Sequence, residues 1–201
     1  GDVIVVRYAD DLVVGFQHRA EAERFLGEFR DRLAKFGLEV QAEKTRLIQF
    51  GRFAAQNRRE RGQGKPETFT FLGFTHYCGT RRSDGSFIIW RKTAKKRMAA
   101  KLRALKTELR RRMHEPIPLV GAWVRKVVMG YDQYHAIPGN LDRLSVFHHR
   151  LRRLWARLLG RRSQRGWIPW QRLGPLLDRW IPPPRVLHPY PEQRFAARHP
   201  R

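Results

Sequence analysis

Acidic residues are scarce in this chain: 18 Asp and Glu stand against 42 Lys and Arg, for a formal net charge of +24 over 201 residues. Self-repulsion of that size calls for a compensating field and points to a polyanionic partner. Cysteine is almost absent. The single Cys78 excludes a disulfide framework within the chain and any multi-cysteine zinc site, and it is consistent with a reducing compartment. There is no apolar run of about 18 residues and no signal peptide, which argues against a membrane span or secretion. Internal repeats and long low-complexity tracts are missing too. What is present is an apolar fraction of 41%, with 6 Trp, 12 Phe and 5 Tyr. That supports one or two small domains with real cores and is too aromatic for a disordered basic tail.

The charge is unevenly spread. Residues 1–50 carry 8 basic and 9 acidic side chains, whereas residues 51–201 carry 34 basic and 9 acidic. A near-neutral module therefore precedes a strongly cationic one, a pattern that suggests separate metal-holding and polyanion-gripping parts. Val3–Arg7 and Leu12–Phe16 are β-rich runs, so the acidic residues between them fall at a hairpin turn. Phe25, Phe29, Leu33 and Phe36 recur at helical spacing, with Gly37 as a stop. Leu38–Val40 and Arg46–Phe50 read as short strands, and Gly51–Pro66 as a mobile, basic surface loop without periodicity. Thr68–Tyr77 reads as a strand pair broken at Gly73, and Phe87–Trp90 as a further strand after a Ser83-Asp84-Gly85 turn.

From residue 95 the pattern is helical. Met98, Leu102, Leu105, Leu109 and Met113 mark one face, and further helices are expected over Leu119–Tyr134 and Leu141–Leu159. Pro182-Pro183-Pro184 cannot be helical, so the Trp- and Pro-rich end is expected to extend or pack along a surface. The spacing of Trp123, Tyr131, Tyr134 and Trp155 suits a core. His114, His148 and His149 lack metal-ligand spacing and read as surface or packing residues, and Asp132 reads as a salt-bridge partner.

Adjacent aspartates at a turn crowd like charges, a cost that a divalent cation removes. Most Asp-Asp pairs are only surface turns, but here β-rich runs flank the pair on both sides. Val6-Arg7-Tyr8-Ala9-Asp10-Asp11-Leu12-Val13-Val14 resembles the Tyr-x-Asp-Asp box of reverse transcriptases, in the Tyr-Ala-Asp-Asp form of group II intron enzymes. Phe36-Gly37-Leu38 with Glu43-Lys44-Thr45 resembles the next palm motif, and Phe69–Phe74 resembles the primer grip. The helical half resembles a thumb or maturase domain, and Pro184–Pro191 resembles the endings of these proteins.

That resemblance implies an α+β fold: an incomplete palm over residues 1–92, an all-α thumb/maturase bundle over 93–165 and a tail over 166–201. It implies an RNA-directed DNA polymerase that adds deoxynucleotides to a primer 3′-hydroxyl by two-metal phosphoryl transfer, with Mg²⁺ as cofactor. The expected partners are an RNA template or intron RNA, a DNA primer and dNTPs, in the bacterial cytoplasm. Asp10 and Asp11 would hold the metal, and Tyr8 and Ala9 would line the site. Phe71, Leu72 and Gly73 would form the primer grip. Lys44 would steady the leaving pyrophosphate, or else be a solvated lysine beside Glu43. Lys95, Lys96, Lys101, Arg103, Arg110, Arg111, Arg152 and Arg153 would grip RNA. The chain reads as a fragment, without the earlier palm aspartate and the fingers, and is expected to be inactive by itself. A non-catalytic RNA-binding maturase that uses the palm as a scaffold is the alternative. No endonuclease His/Asn/Cys cluster is visible after residue 165.

Overall fold

The computed structural model describes residues 1–162, 168–191 and 193. Its mixed strands and helices make an α+β protein, as the sequence implied. The chain divides into two compact units, Gly1–Phe71 with Tyr77–Ile88, and Leu72–His76 with Ile89–Arg201.

The first unit opens with an antiparallel hairpin of β1 (Val3–Tyr8) and β2 (Asp11–Phe16), in register from Val3↔Phe16 to Tyr8↔Asp11. Helix α1 (Arg19–Ala34) follows, and Phe16 meets Phe25 at 5.3 Å between ring centroids. The helix closes where expected: the Leu38 amide donates to the Leu33 carbonyl and the Gly37 amide to Ala34, both at 3.0 Å, a Schellman pattern. Residues 38–50 are not strands, contrary to expectation. β1 and β2 form a sheet of two strands only, so Leu38–Val40 and Arg46–Phe50 have no ladder to join. The expected mobile loop is also corrected, because it holds a short helix, α2 (Ala54–Glu60).

β3 (Phe69–Phe71), β4 (Phe74–Thr80) and β5 (Phe87–Thr93) form a sheet in that order, and the boundary between the units falls within β4 and β5. At the β4–β5 turn Asp84 accepts from the Ser86 amide at 3.0 Å and from its hydroxyl at 2.7 Å.

The second unit contains α3 (Lys95–Arg111), α4 (Ile117–His135), α5 (Leu141–Gly160) and α6 (Trp170–Trp180). Helix α6 is an addition to the expected three-helix bundle. Its Leu173, Leu177 and the following Ile181 join a core with Val124, Val128, Leu144, Phe147, Leu151 and Trp155. Gly121 is required for this packing: a Cβ there would lie 2.4 Å from the Trp180 ring. His148 is buried, with one ring nitrogen 2.9 Å from the Asp132 carboxylate and the other 3.0 Å from the Pro182 carbonyl. The Pro-rich end lies along the end of α4. There the Leu187 amide donates to the Ala136 carbonyl at 2.9 Å and the His188 ring donates to the Gln133 carbonyl at 2.6 Å. Both contacts satisfy carbonyls that a helix end leaves open.

Candidate catalytic turn and nucleic-acid interface

With Tyr8 paired to Asp11, the β1–β2 connection is a two-residue loop of Ala9 and Asp10. Two-residue hairpins favour turns with left-handed residues because these match the strands' twist. Ala9 adopts φ 53°, a conformation that costs a residue with a Cβ about 1–2 kcal/mol. The Arg7 side chain steadies it by donating from Nε to the Ala9 carbonyl at 3.0 Å. The turn leaves Asp10 and Asp11 adjacent and exposed, and neither forms an ion pair among the described residues. Cross-strand pairing places Asp11 and Tyr8 on the same face of the hairpin, with Val6 and Val13 on that face too.

Two exposed carboxylates can serve one Mg²⁺, which is commonly held by one or two carboxylates and keeps several waters. They do not enclose a pair of metals. Among the described residues no group of three or more His, Cys, Asp or Glu is placed to hold an ion. Lys44 is exposed in a turn where its amide donates to the Gln41 carbonyl at 3.1 Å, and it makes no hydrogen bond or ion pair with Asp10 or Asp11.

Phe71 ends β3, and Leu72 and Gly73 form the two-residue turn into β4. Both turn residues have positive φ, 49° and 78°, which suits Gly73 and strains Leu72. Within the second unit this strained turn is clamped from α4 and from the start of α3. The Tyr134 hydroxyl donates to the Leu72 carbonyl at 2.8 Å, and the Ala94 amide donates to the Gly73 carbonyl at 2.9 Å. The Tyr134 ring also stacks on Phe74, with centroids 5.6 Å apart.

Behind the clamp lies a buried polar cluster. Asn140, fully buried, accepts from the Thr93 amide at 2.8 Å and donates to the Thr93 hydroxyl at 2.8 Å and the His135 carbonyl at 2.7 Å. Burial depresses His135 to about 4, so its ring is neutral at neutral pH. Burial pushes the neighbouring Tyr131 phenol up to about 12. Sequence reasoning placed Tyr134 in the core, yet it is 52% exposed, and its hydroxyl carries the contact that matters. Asn140 gave one usable signal, its place beside Pro138-Gly139 just ahead of a helix. Its long-range partner Thr93 left no trace in the sequence.

The cationic residues expected to grip RNA fall into two sets. Arg111 holds Glu108 at 2.6 Å, and Arg152 is bonded to Asp178, so both are partly neutralised within the fold. The Arg111 and Arg112 hydrogen bonds hold the Glu108 carboxyl down to about 2. Lys95, Lys96, Lys101, Arg103, Arg110 and Arg153 are exposed and free of ion pairs among the described residues. Lys95 and Lys96 open α3, whose first turn holds no acidic residue. Cations at a helix N-terminus oppose the helix dipole, so their placement is not explained by helix stability.

Residues 2–76 match the family model for reverse transcriptase (RNA-dependent DNA polymerase). No curated protein and no solved structure matches the chain. The matched segment includes both the Asp10-Asp11 turn and the Leu72-Gly73 turn. It supports reverse transcription as the general activity, with an RNA template, a primer and deoxynucleotides as the general class of ligands. No helix among the described residues is long and apolar enough to cross a membrane.

Proposed function

We propose that this chain supplies the metal-binding turn, primer grip and thumb of a group II intron-type reverse transcriptase, with a maturase role in binding intron RNA. The observation that carries the reading is the position of Asp10 and Asp11 at the tip of a hairpin inside the matched segment. In this reading residues 1–92 are palm, 93–165 thumb/maturase and 166–201 the tail.

The reaction is attack of a primer 3′-hydroxyl on the nucleotide's α-phosphorus, with pyrophosphate leaving. Asp10 and Asp11 would hold Mg²⁺, which supplies charge stabilisation to the reacting phosphate oxygens when bound. Tyr8, on the face that carries Asp11, would line the primer end together with Ala9. Lys44 would offer a cation or a proton to the pyrophosphate. The rigid Leu72-Gly73 turn, following Phe71, would present backbone to the primer, with Gly73 allowing close approach.

The acidic set at the turn falls one carboxylate short of a two-metal cage, so this chain alone is expected to give no DNA synthesis. Single-turnover primer extension on an RNA template with Mg²⁺ checks this, and clear incorporation would contradict the half-site reading. The unpaired cations of α3 favour a second reading, an RNA-binding maturase that uses the palm as a scaffold. Asp10→Asn and Asp11→Asn separate the two, because only the polymerase needs the carboxylates.

A further inference from the structure

The segment between the hairpin region and β3 carries a cationic surface that the polymerase reading does not use. Residues 51–66 contain Arg52, Arg58, Arg59, Arg61 and Lys65 against one acid, Glu60. The segment is built, not loose. Ala54 is buried, the Gly51 amide donates to Cys78 Sγ at 3.3 Å, and α2 ends in a full Schellman closure. In that closure the Gln63 amide donates to the Arg58 carbonyl at 2.8 Å and the Gly62 amide to Arg59 at 3.0 Å, with Gly62 at φ 66°. Arg58 is spent inside the motif, its Nε donating to the Gly64 carbonyl at 3.0 Å.

The other four cations are exposed and form no ion pair among the described residues. Helix electrostatics account for only part of this. Arg59 and Arg61, at the C-terminal end, complement the helix dipole. Arg52 sits at the opposite end, where a cation is disfavoured and no acid occupies the first turn. Next to it Phe53 is 64% exposed. An ordered element that holds four free cations and a bare aromatic ring matches the chemistry of unpaired nucleotides: phosphates for the cations and an open base face for the ring. A duplex offers the phosphates but keeps its bases stacked.

We propose that α2 and its flanks form a contact site for single-stranded nucleic acid, with Arg52, Arg59, Arg61 and Lys65 on phosphates and Phe53 stacked on an unpaired base. The proposal stands on this segment's own chemistry, so a chain shown to lack polymerase activity would still carry it.

The test is a fluorescence-anisotropy titration of the 201-residue protein with single-stranded RNA of about 12 nucleotides, the same sequence in DNA, and the matching duplex. Phe53→Ala is expected to weaken single-strand binding by about tenfold and duplex binding by less than twofold, in line with the cost of losing one stacked base. Phe53→Leu, which keeps the apolar bulk without the ring, should show the same selective loss. Arg59→Ala with Arg61→Ala should reduce the slope of log affinity against log salt on the single strand by about 1.4, and Lys at both positions should restore it. Single-strand affinity unchanged by the Phe53 substitutions would overturn the proposal. So would equal losses on duplex and single strand, or an unchanged salt slope. If RNA and DNA single strands respond alike, the contact reads phosphate and base face only; a response confined to RNA adds the 2′-hydroxyl to the recognised chemistry.

Discussion

The β1–β2 hairpin and the helical core handle apolar residues in opposite ways. Val3, Ile4, Val5 and Val6 occupy β1 and all are exposed, Ile4 by 67%, although both faces of the strand are apolar. A strand that is apolar on both faces has the composition of one covered on both sides. In the second unit the same kinds of side chain are sealed, and Val128, Leu144, Phe147 and Leu151 are fully buried. In the first unit only Ala22 and Ala54 are buried. Stability is therefore concentrated in the helical unit. The turn with the carboxylates is held by its own ladder and by the Arg7–Ala9 bond.

The largest expected effect is the contrast itself. Trp155→Ala should destabilise the protein by about 3–5 kcal/mol in denaturant unfolding, whereas Val5→Ala should cost less than about 0.5 kcal/mol. Comparable losses would mean that the hairpin is as well packed as the bundle. Next is Asn140→Ala. It leaves the Thr93 amide and the His135 carbonyl without their partner and should cost about 3 kcal/mol. A loss under about 1 kcal/mol would show that this buried cluster does not secure the second unit.

Acid provides a third, smaller probe. His135 titrates near 4 when folded, against an ordinary value near 6.5, because burial disfavours its charged form. Between those values the unfolded chain takes up a proton that the folded one does not. Stability from this residue is therefore full above pH 6.5 and declines as pH falls towards 4, by on the order of 2 kcal/mol. Melting temperatures across that window, with His135→Gln as the flat control, check the sign.

What the sequence made legible follows from its periodicities. The hairpin announces itself by two β-branched runs around a turn, α1 by the helical spacing of Phe25, Phe29 and Leu33, and α3 to α5 by apolar residues that recur on one buried face. α2 does not: Ala54-Ala55-Gln56-Asn57-Arg58-Arg59-Glu60 has no apolar stripe, and its order comes from a backbone cap and one buried alanine. α6 was hidden differently. Leu173, Leu176, Leu177 and Trp180 have helical spacing, but Pro175 sits inside the helix and the surrounding prolines suggested an extended chain. The two strands expected between residues 38 and 50 failed because a strand needs a neighbour, which a local pattern does not reveal. The Asp10-Asp11 turn was fully readable from sequence, whereas the Tyr134 clamp on Leu72 joins residues 62 positions apart and was not.

The proposed function requires the Asp10-Asp11 turn to belong to a DNA-synthesising site, and one measurement bears on that most directly. Primer extension on an RNA template would be run with a polypeptide that joins this chain to an upstream palm strand and fingers, as wild type and with Asp10→Asn or Asp11→Asn. Each substitution is expected to reduce synthesis by at least about a hundredfold, the scale of losing one group that stabilises transition-state charge, with RNA binding and melting temperature unchanged. Synthesis that persists in both variants would contradict the account.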